Sequence, residues 1–206
     1  MIPDQTLSSQ LIYAAYISPD ELAESDLLSY ELGGIALSDA TQGLQVQTWT
    51  LRGVPTGGVS DPVDMIVSAP NTPDTTLLSL VGVTEISLAF DQNMKPAIAY
   101  IQNGSAHLWW YDATIPGYTT VDFPSGVKNP RASLDDKRPL NLGVSDIIVA
   151  YIRDDNLYFR AQSDRFTVEY ILQADLSSQI IAPQLYKIGM NKEERFMFYL
   201  RGALFA

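Results

Sequence analysis

Cysteine is absent from the 206 residues. That excludes disulfide staples and thiolate metal sites, and it suits a protein that folds in a reducing compartment and must survive outside one. Histidine is almost absent as well, with His107 alone. Ser-His-Asp catalysis would have to run through that single ring, and no Gly-x-Ser-x-Gly elbow accompanies it. Basic residues are scarce, 13 against 24 acidic ones, for a net charge of −11. A protein that grips phosphate backbones carries the opposite balance, so no direct nucleic-acid grip is expected. No apolar run approaches the roughly 18 residues of a membrane-spanning helix. The amino-terminal stretch MIPDQTLSSQ lacks the basic start and apolar core of a signal peptide. The expected product is a soluble protein made in the cytoplasm, with no membrane span and no cofactor.

What is present reads as β structure. Short runs rich in Val, Ile, Tyr, Phe and Trp recur between Gly, Pro, Asn and Asp clusters, the pattern of many short strands joined by turns. Leu44–Leu51 alternates, with Leu44, Val46, Thr48 and Thr50 on one face and Gln45, Gln47, Trp49 and Leu51 on the other. Ala97–Ile101 and Ala106–Tyr111 flank Gln102-Asn103-Gly104-Ser105, a hairpin signal because Asn and Gly both tolerate positive φ. Ile147–Ile152 and Leu157–Ala161 flank Arg153-Asp154-Asp155-Asn156 and predict a second hairpin. Phe166–Leu172 and Arg195–Leu200 are further strand candidates. Gly53–Asp61 and Ala69–Asp74 read as loops by composition. Helix signals are thin: Ser18-Pro19-Asp20-Glu21 supports either a short helix over Pro19–Leu28 or a turn.

An internal repeat organises these strands. Ser87-Leu88-Ala89-Phe90-Asp91, Ala99-Tyr100-Ile101 and Leu108-Trp109-Trp110-Tyr111 are echoed by Ser133-Leu134-Asp135-Asp136, Ala150-Tyr151-Ile152 and Leu157-Tyr158-Phe159. Tyr100 and Tyr151 lie 51 residues apart, Ser87 and Ser133 lie 46 apart, and the extra residues fall in Pro139–Ser145. Gly34–Asp39 followed by Leu44–Leu51 is a fainter echo. A period near 45–50 residues holding about four strands is that of a propeller blade. The expected fold is therefore all-β, with antiparallel sheets in blade-like repeats, propeller-like or stacked as a sandwich. Residues 1–31 read as an arm that docks on a neighbour and 32–206 as the β-repeat domain. Its units fall at about 32–82, 83–128 and 129–175, with carboxyl-terminal strands at 180–206. Three units are too few to close a ring of four blades, so either the sheets stack openly or several chains complete the structure.

Candidate chemistry is weighed against ordinary structural use. The acids Asp91, Asp112, Asp135-Asp136, Asp154-Asp155 and Asp164 could in principle serve glycoside hydrolysis or bind calcium. Adjacent residues on a strand point to opposite faces, and both pairs sit where turns are expected, which favours turn-forming roles. Arg131, Arg138, Arg153, Arg160 and Arg165 could bind an acidic sugar, but salt bridges with the excess acid are the expected use. No catalytic or metal-ligating residue is assigned. Trp49, Trp109, Trp110, Tyr111, Tyr158 and Phe159 are the candidates for an interface or a glycan contact. Since Trp109 and Trp110 are consecutive in a strand, only one can face a given core.

Three stretches resemble virion proteins of tailed bacteriophages, chiefly short-tailed ones. They are Gly34–Asp39 with Gln42–Trp49, Ile86–Asn93 running on to Trp110-Tyr111-Asp112, and Leu134–Arg138 through Ser145–Tyr151. The resemblance spans about Leu32 to the carboxyl end. It implies a non-enzymatic structural component of the virion tail, in the nozzle, tip or fibre. Such a part forms a homo-oligomer or ring around the tail axis and binds other tail proteins. A receptor-binding module that takes host-surface glycan is the alternative.

Overall fold

The computed structural model describes residues 30–37, 46–58, 60–69, 72–135, 145–176, 184–190 and 196–201. The expected helix or turn at Pro19–Leu28 and the loop Pro139–Ser145, apart from Ser145 itself, lie outside them. The architecture is all-β and antiparallel. Four strands, β1 (Tyr30–Leu37), β2 (Val46–Pro55), β3 (Val63–Ala69) and β4 (Thr72–Leu80), form a first sheet in the order β1-β2-β3-β4. A second sheet follows in the order β5-β6-β7-β8, from β5 (Val83–Phe90), β6 (Pro96–Gln102), β7 (Ser105–Asp112) and β8 (Gly117–Asp122). The third runs β9-β10-β11-β12, from β9 (Lys128–Leu134), β10 (Ile147–Arg153), β11 (Asn156–Ala161) and β12 (Tyr170–Gln173). A hairpin of β13 (Gln184–Met190) and β14 (Phe196–Arg201) makes the fourth.

Each sheet is a meander, and the first strands of successive sheets lie against one another: β1 on β5, β5 on β9 and β9 on β13. The sheets therefore stack face to face. One core lies between sheets one and two, built on Leu51, Met65, Ile86, Leu88, Ile98 and Tyr100. A second, between sheets two and three, holds Ala97, Ala99, Leu108, Trp110, Val149, Tyr151 and Phe166. A third joins Ala150, Ile152 and Leu157 to Leu176 and Leu185. This explains why β6 (PAIAYIQ) and β10 (IIVAYIR) are continuous apolar runs rather than alternating ones. A strand covered on both faces has no solvent side on which to place polar residues. Burying one aliphatic side chain of this size contributes about 1.5–3 kcal/mol.

Both predicted hairpins form. Asn103 and Gly104 have φ of 50° and 79° between β6 and β7, and Asp154 and Asp155 have 49° and 55° between β10 and β11. Two consecutive positive φ values match the right-handed twist of the flanking strands. The expected loops are shorter than composition suggests. The strand β2 continues through Gly53, Val54 and Pro55, and β4 begins at Thr72 so that Pro73 and Asp74 lie within it. Proline is tolerated there because β4 is an edge strand. The strand expected at Phe166–Leu172 starts only at Tyr170. Arg165 and Phe166 both adopt left-handed backbone, with φ of 57° and 59°, and this turn inserts Phe166, fully buried, into the core.

The repeat is real in hydrogen-bond register, with one correction. The amide of Asp91 donates to the Lys95 carbonyl (2.9 Å), and the Lys95 amide donates back to Asp91 Oδ1 (2.8 Å). The amide of Asp135 donates to the Asp146 carbonyl (2.8 Å), and the Asp146 amide donates to Asp135 Oδ1. These equivalent loops set the first strands 44 residues apart and the second strands 51 apart. Ser133 is thus the counterpart of Ala89, and Arg131 that of Ser87. Pairing Ser87 with Ser133 slips the register by two, which preserves the strand face and so escapes detection in the pattern.

Candidate functional site

The aromatic candidates divide between cores and surface. Trp110 projects from β7 toward the third sheet, is 3% exposed and meets Phe166 edge-on at 5.0 Å. Trp109, its neighbour, packs on the opposite core together with Trp49, which is tilted against Phe90 at 5.4 Å. Both tryptophans of the pair therefore serve inter-sheet packing. Tyr158 and Phe159 lie on opposite faces of β11. Tyr158 stacks at 6.0 Å on Tyr151 beneath the Arg153 guanidinium, and Phe159 stacks at 4.9 Å on Tyr170.

Trp109 and Tyr111 are brought together by Tyr118, a residue that the sequence pattern did not single out. The Tyr118 ring lies parallel to Trp109 at 4.0 Å and 6°, and Tyr111 meets it edge-on at 5.4 Å. The Lys95 ammonium sits 5.2 Å above the Tyr111 ring. Tyr118 is 43% exposed, so its ring is the open face of this cluster and Trp109 is the floor beneath it. Burial, then the charge of Asp91 and the neighbouring Tyr111, raises the Tyr118 hydroxyl above the usual phenol range.

Several of the charged candidates are engaged within the fold. Arg131, almost fully buried on β9, reaches Glu85 on β5 at 3.2 Å. Arg165 places two nitrogens on Asp112. Arg153 and Tyr151 share the two oxygens of Glu169, and Arg160 donates to the Tyr151 hydroxyl and the Phe166 carbonyl. Burial, then hydrogen bonding to Glu169, pushes the Tyr151 phenol strongly upward. The equivalent Tyr100 of sheet two is raised too, by burial, against the downward pull of a hydrogen bond with Thr120, which stands where Glu169 stands in sheet three. His107 lies on a strand face, stacked on Tyr100 at 5.2 Å with Nδ1 2.8 Å from Asp122. Arg138 and Asp136 lie outside the described residues. Among the described residues no group of three or more His, Asp or Glu is placed to hold a metal ion, and no helix is long and apolar enough to cross a membrane.

The outer edges of the three four-stranded sheets differ in kind. The edge β4 carries Pro73, Asp74, Thr75 and Thr76, and β8 carries Thr119, Thr120 and Asp122. Polar residues and proline blunt an edge against pairing. The edge β12 reads Tyr-Ile-Leu-Gln with every residue exposed. Ile171 is 57% exposed, and Val168, Tyr170 and Leu172 each about 40%. No strand covers its outer side among the described residues. The signal that could have found it is the comparison of the three edges with one another, which requires knowing where each sheet ends. No family model, no curated protein and no solved structure matches this chain.

Proposed function

We propose that this chain is a structural component of a bacteriophage tail, made in the host cytoplasm and assembled with copies of itself and other tail proteins at the nozzle, tip or fibre. The observation that carries this reading is the apolar edge β12, exposed on a stack whose internal faces are covered. An exposed apolar strand edge without charge is a site at which another protein can add a strand. The sequence resemblance to tail proteins supports it. Its three stretches take in the second half of β1, most of β5 with the turn that leaves it, and the end of β9 with most of β10. Quantitative mass spectrometry and immunogold labelling of purified particles test the proposal. The chain is expected in the tail, in several copies per particle, and its absence from purified virions overturns the reading.

A second reading is favoured by the Tyr118 cluster. An exposed ring stacked on a tryptophan floor, beside a lysine, is a flat platform for a sugar face. Host-glycan recognition then runs through Tyr118, with Lys95 favouring acidic sugars. A glycan array tests it: binding lost in Tyr118→Ala supports it, and no binding by the unaltered chain ends it.

A further inference from the structure

We infer that β12 is the docking site for residues 11–17 of a second copy of the chain, which add to sheet three as a fifth strand. The inference rests on the assembly reading above and names the partner for its edge. Three observations converge on it. The first is the internal control: of three equivalent outer edges, only β12 lacks both charge and proline. The second is the chemistry of the occupant. Residues 11–17, Leu-Ile-Tyr-Ala-Ala-Tyr-Ile, form an apolar run inside a stretch, residues 5–18, with no charged side chain. In a chain of net charge −11 an ordinary segment would lay acids along this uncharged edge, whereas this one brings none. Extended, it offers apolar side chains to both faces, as an added strand beside Tyr170 and Ile171 requires. The third is reach. Residues 18–29 span up to about 40 Å when extended, long enough to carry the arm away from sheet one before β1 begins at Tyr30.

Nearer segments are poorer occupants. Residues 177–183 must lead from Leu176, locked in the third core with its amide bonded to the Asp155 carbonyl at 2.7 Å, to β13 at Gln184. Within one chain the arm would have to pass around sheet two, which stands between β1 and sheet three. Donation to a neighbour is direct, and it closes as a reciprocal pair or, when head-to-tail, as a ring or filament.

The test uses full-length chains. By light scattering the unaltered chain is expected to form multimers, while Ile171→Lys and Ile12→Lys each give monomers. An equal mixture of the two variants is expected to recover a dimer, because each supplies the half that the other lacks. Since the chain has no cysteine, Ala14→Cys and Ile171→Cys in separate chains should crosslink on mixing. If Ile171→Lys dissociates the multimer and Ile12→Lys does not, the occupant is another segment, and the inference falls while the assembly reading stands. A crosslink formed only within a doubly substituted chain places the arm on its own sheet and overturns the donation. A monomer at every concentration also overturns it, and absence from virions removes the assembly reading separately.

Discussion

Arg165 sets both Nε and Nη2 on a single oxygen of Asp112, at 3.0 and 2.6 Å, across 53 residues of sequence. Asp112 ends β7 in the second sheet, is 1% exposed, and also accepts from the Thr114 hydroxyl (2.6 Å) and amide (2.9 Å). Arg165 belongs to the left-handed turn that follows β11, so the pair ties sheet two to sheet three. The Thr114 hydroxyl first, then its amide and Arg165, hold the Asp112 carboxyl below the usual range, against the upward push of burial.

Asp112→Asn is expected to cost about 2 kcal/mol at neutral pH, the worth of hydrogen bonds to a buried charge. A depressed carboxylate stabilises the fold fully above its unfolded value, about 3.9, and that stabilisation is lost as pH falls through the folded value. The variant should therefore lose less stability than the parent between pH 5 and pH 3. Urea midpoints at both pH values measure it, and equal losses would refute the assignment.

Tyr151 gives the opposite limb. Its phenol is raised, so the stability it contributes is complete below about pH 10, the unfolded value, and is lost as pH rises toward the folded one. Tyr151→Phe is expected to cost about 1 kcal/mol at neutral pH and to soften alkaline unfolding. Ultraviolet titration of the folded chain should show Tyr151 un-ionised at pH 11. Ionisation of every tyrosine by that pH, with the fold intact, would contradict this.

Ser87 and Ala132 make the seam between sheets two and three. The strand β9 bonds to β10 on one side only, and on the other the Ala132 amide donates to Ser87 Oγ at 2.9 Å, both residues being buried. Ser87→Ala strands that amide without water and is expected to cost about 1–3 kcal/mol. Ser87→Thr keeps an acceptor at the same position and should recover part of the loss. Thermal melting of the two variants decides it.

Trp110 and Tyr118 separate packing from surface. Trp110→Ala empties a buried site and is expected to cost about 3–5 kcal/mol, whereas Tyr118→Ala removes an exposed ring and should cost under about 1 kcal/mol. Denaturant titration of both variants checks the contrast, and similar losses would show that the Tyr118 ring closes a core.

Sheet class, both tight hairpins and the existence of a repeat were legible in the residues alone, because each depends on local chemistry: alternation, β-branched runs and pairs of residues that accept positive φ. The face of Trp49 and Leu51 was legible too, since strand period alone decides it. Tertiary structure alone decided the rest. It buried Trp110 in one core and packed Trp109, half-buried, against the other, because a stacked sheet has a neighbour on each face. It corrected the repeat register by two residues, a slip that leaves every side chain on its original face. It also showed that β12, unlike β4 and β8, is an apolar edge that no strand covers among the described residues. Whether an apolar strand is central or peripheral depends on what lies beside it, and no residue encodes its neighbour across a sheet.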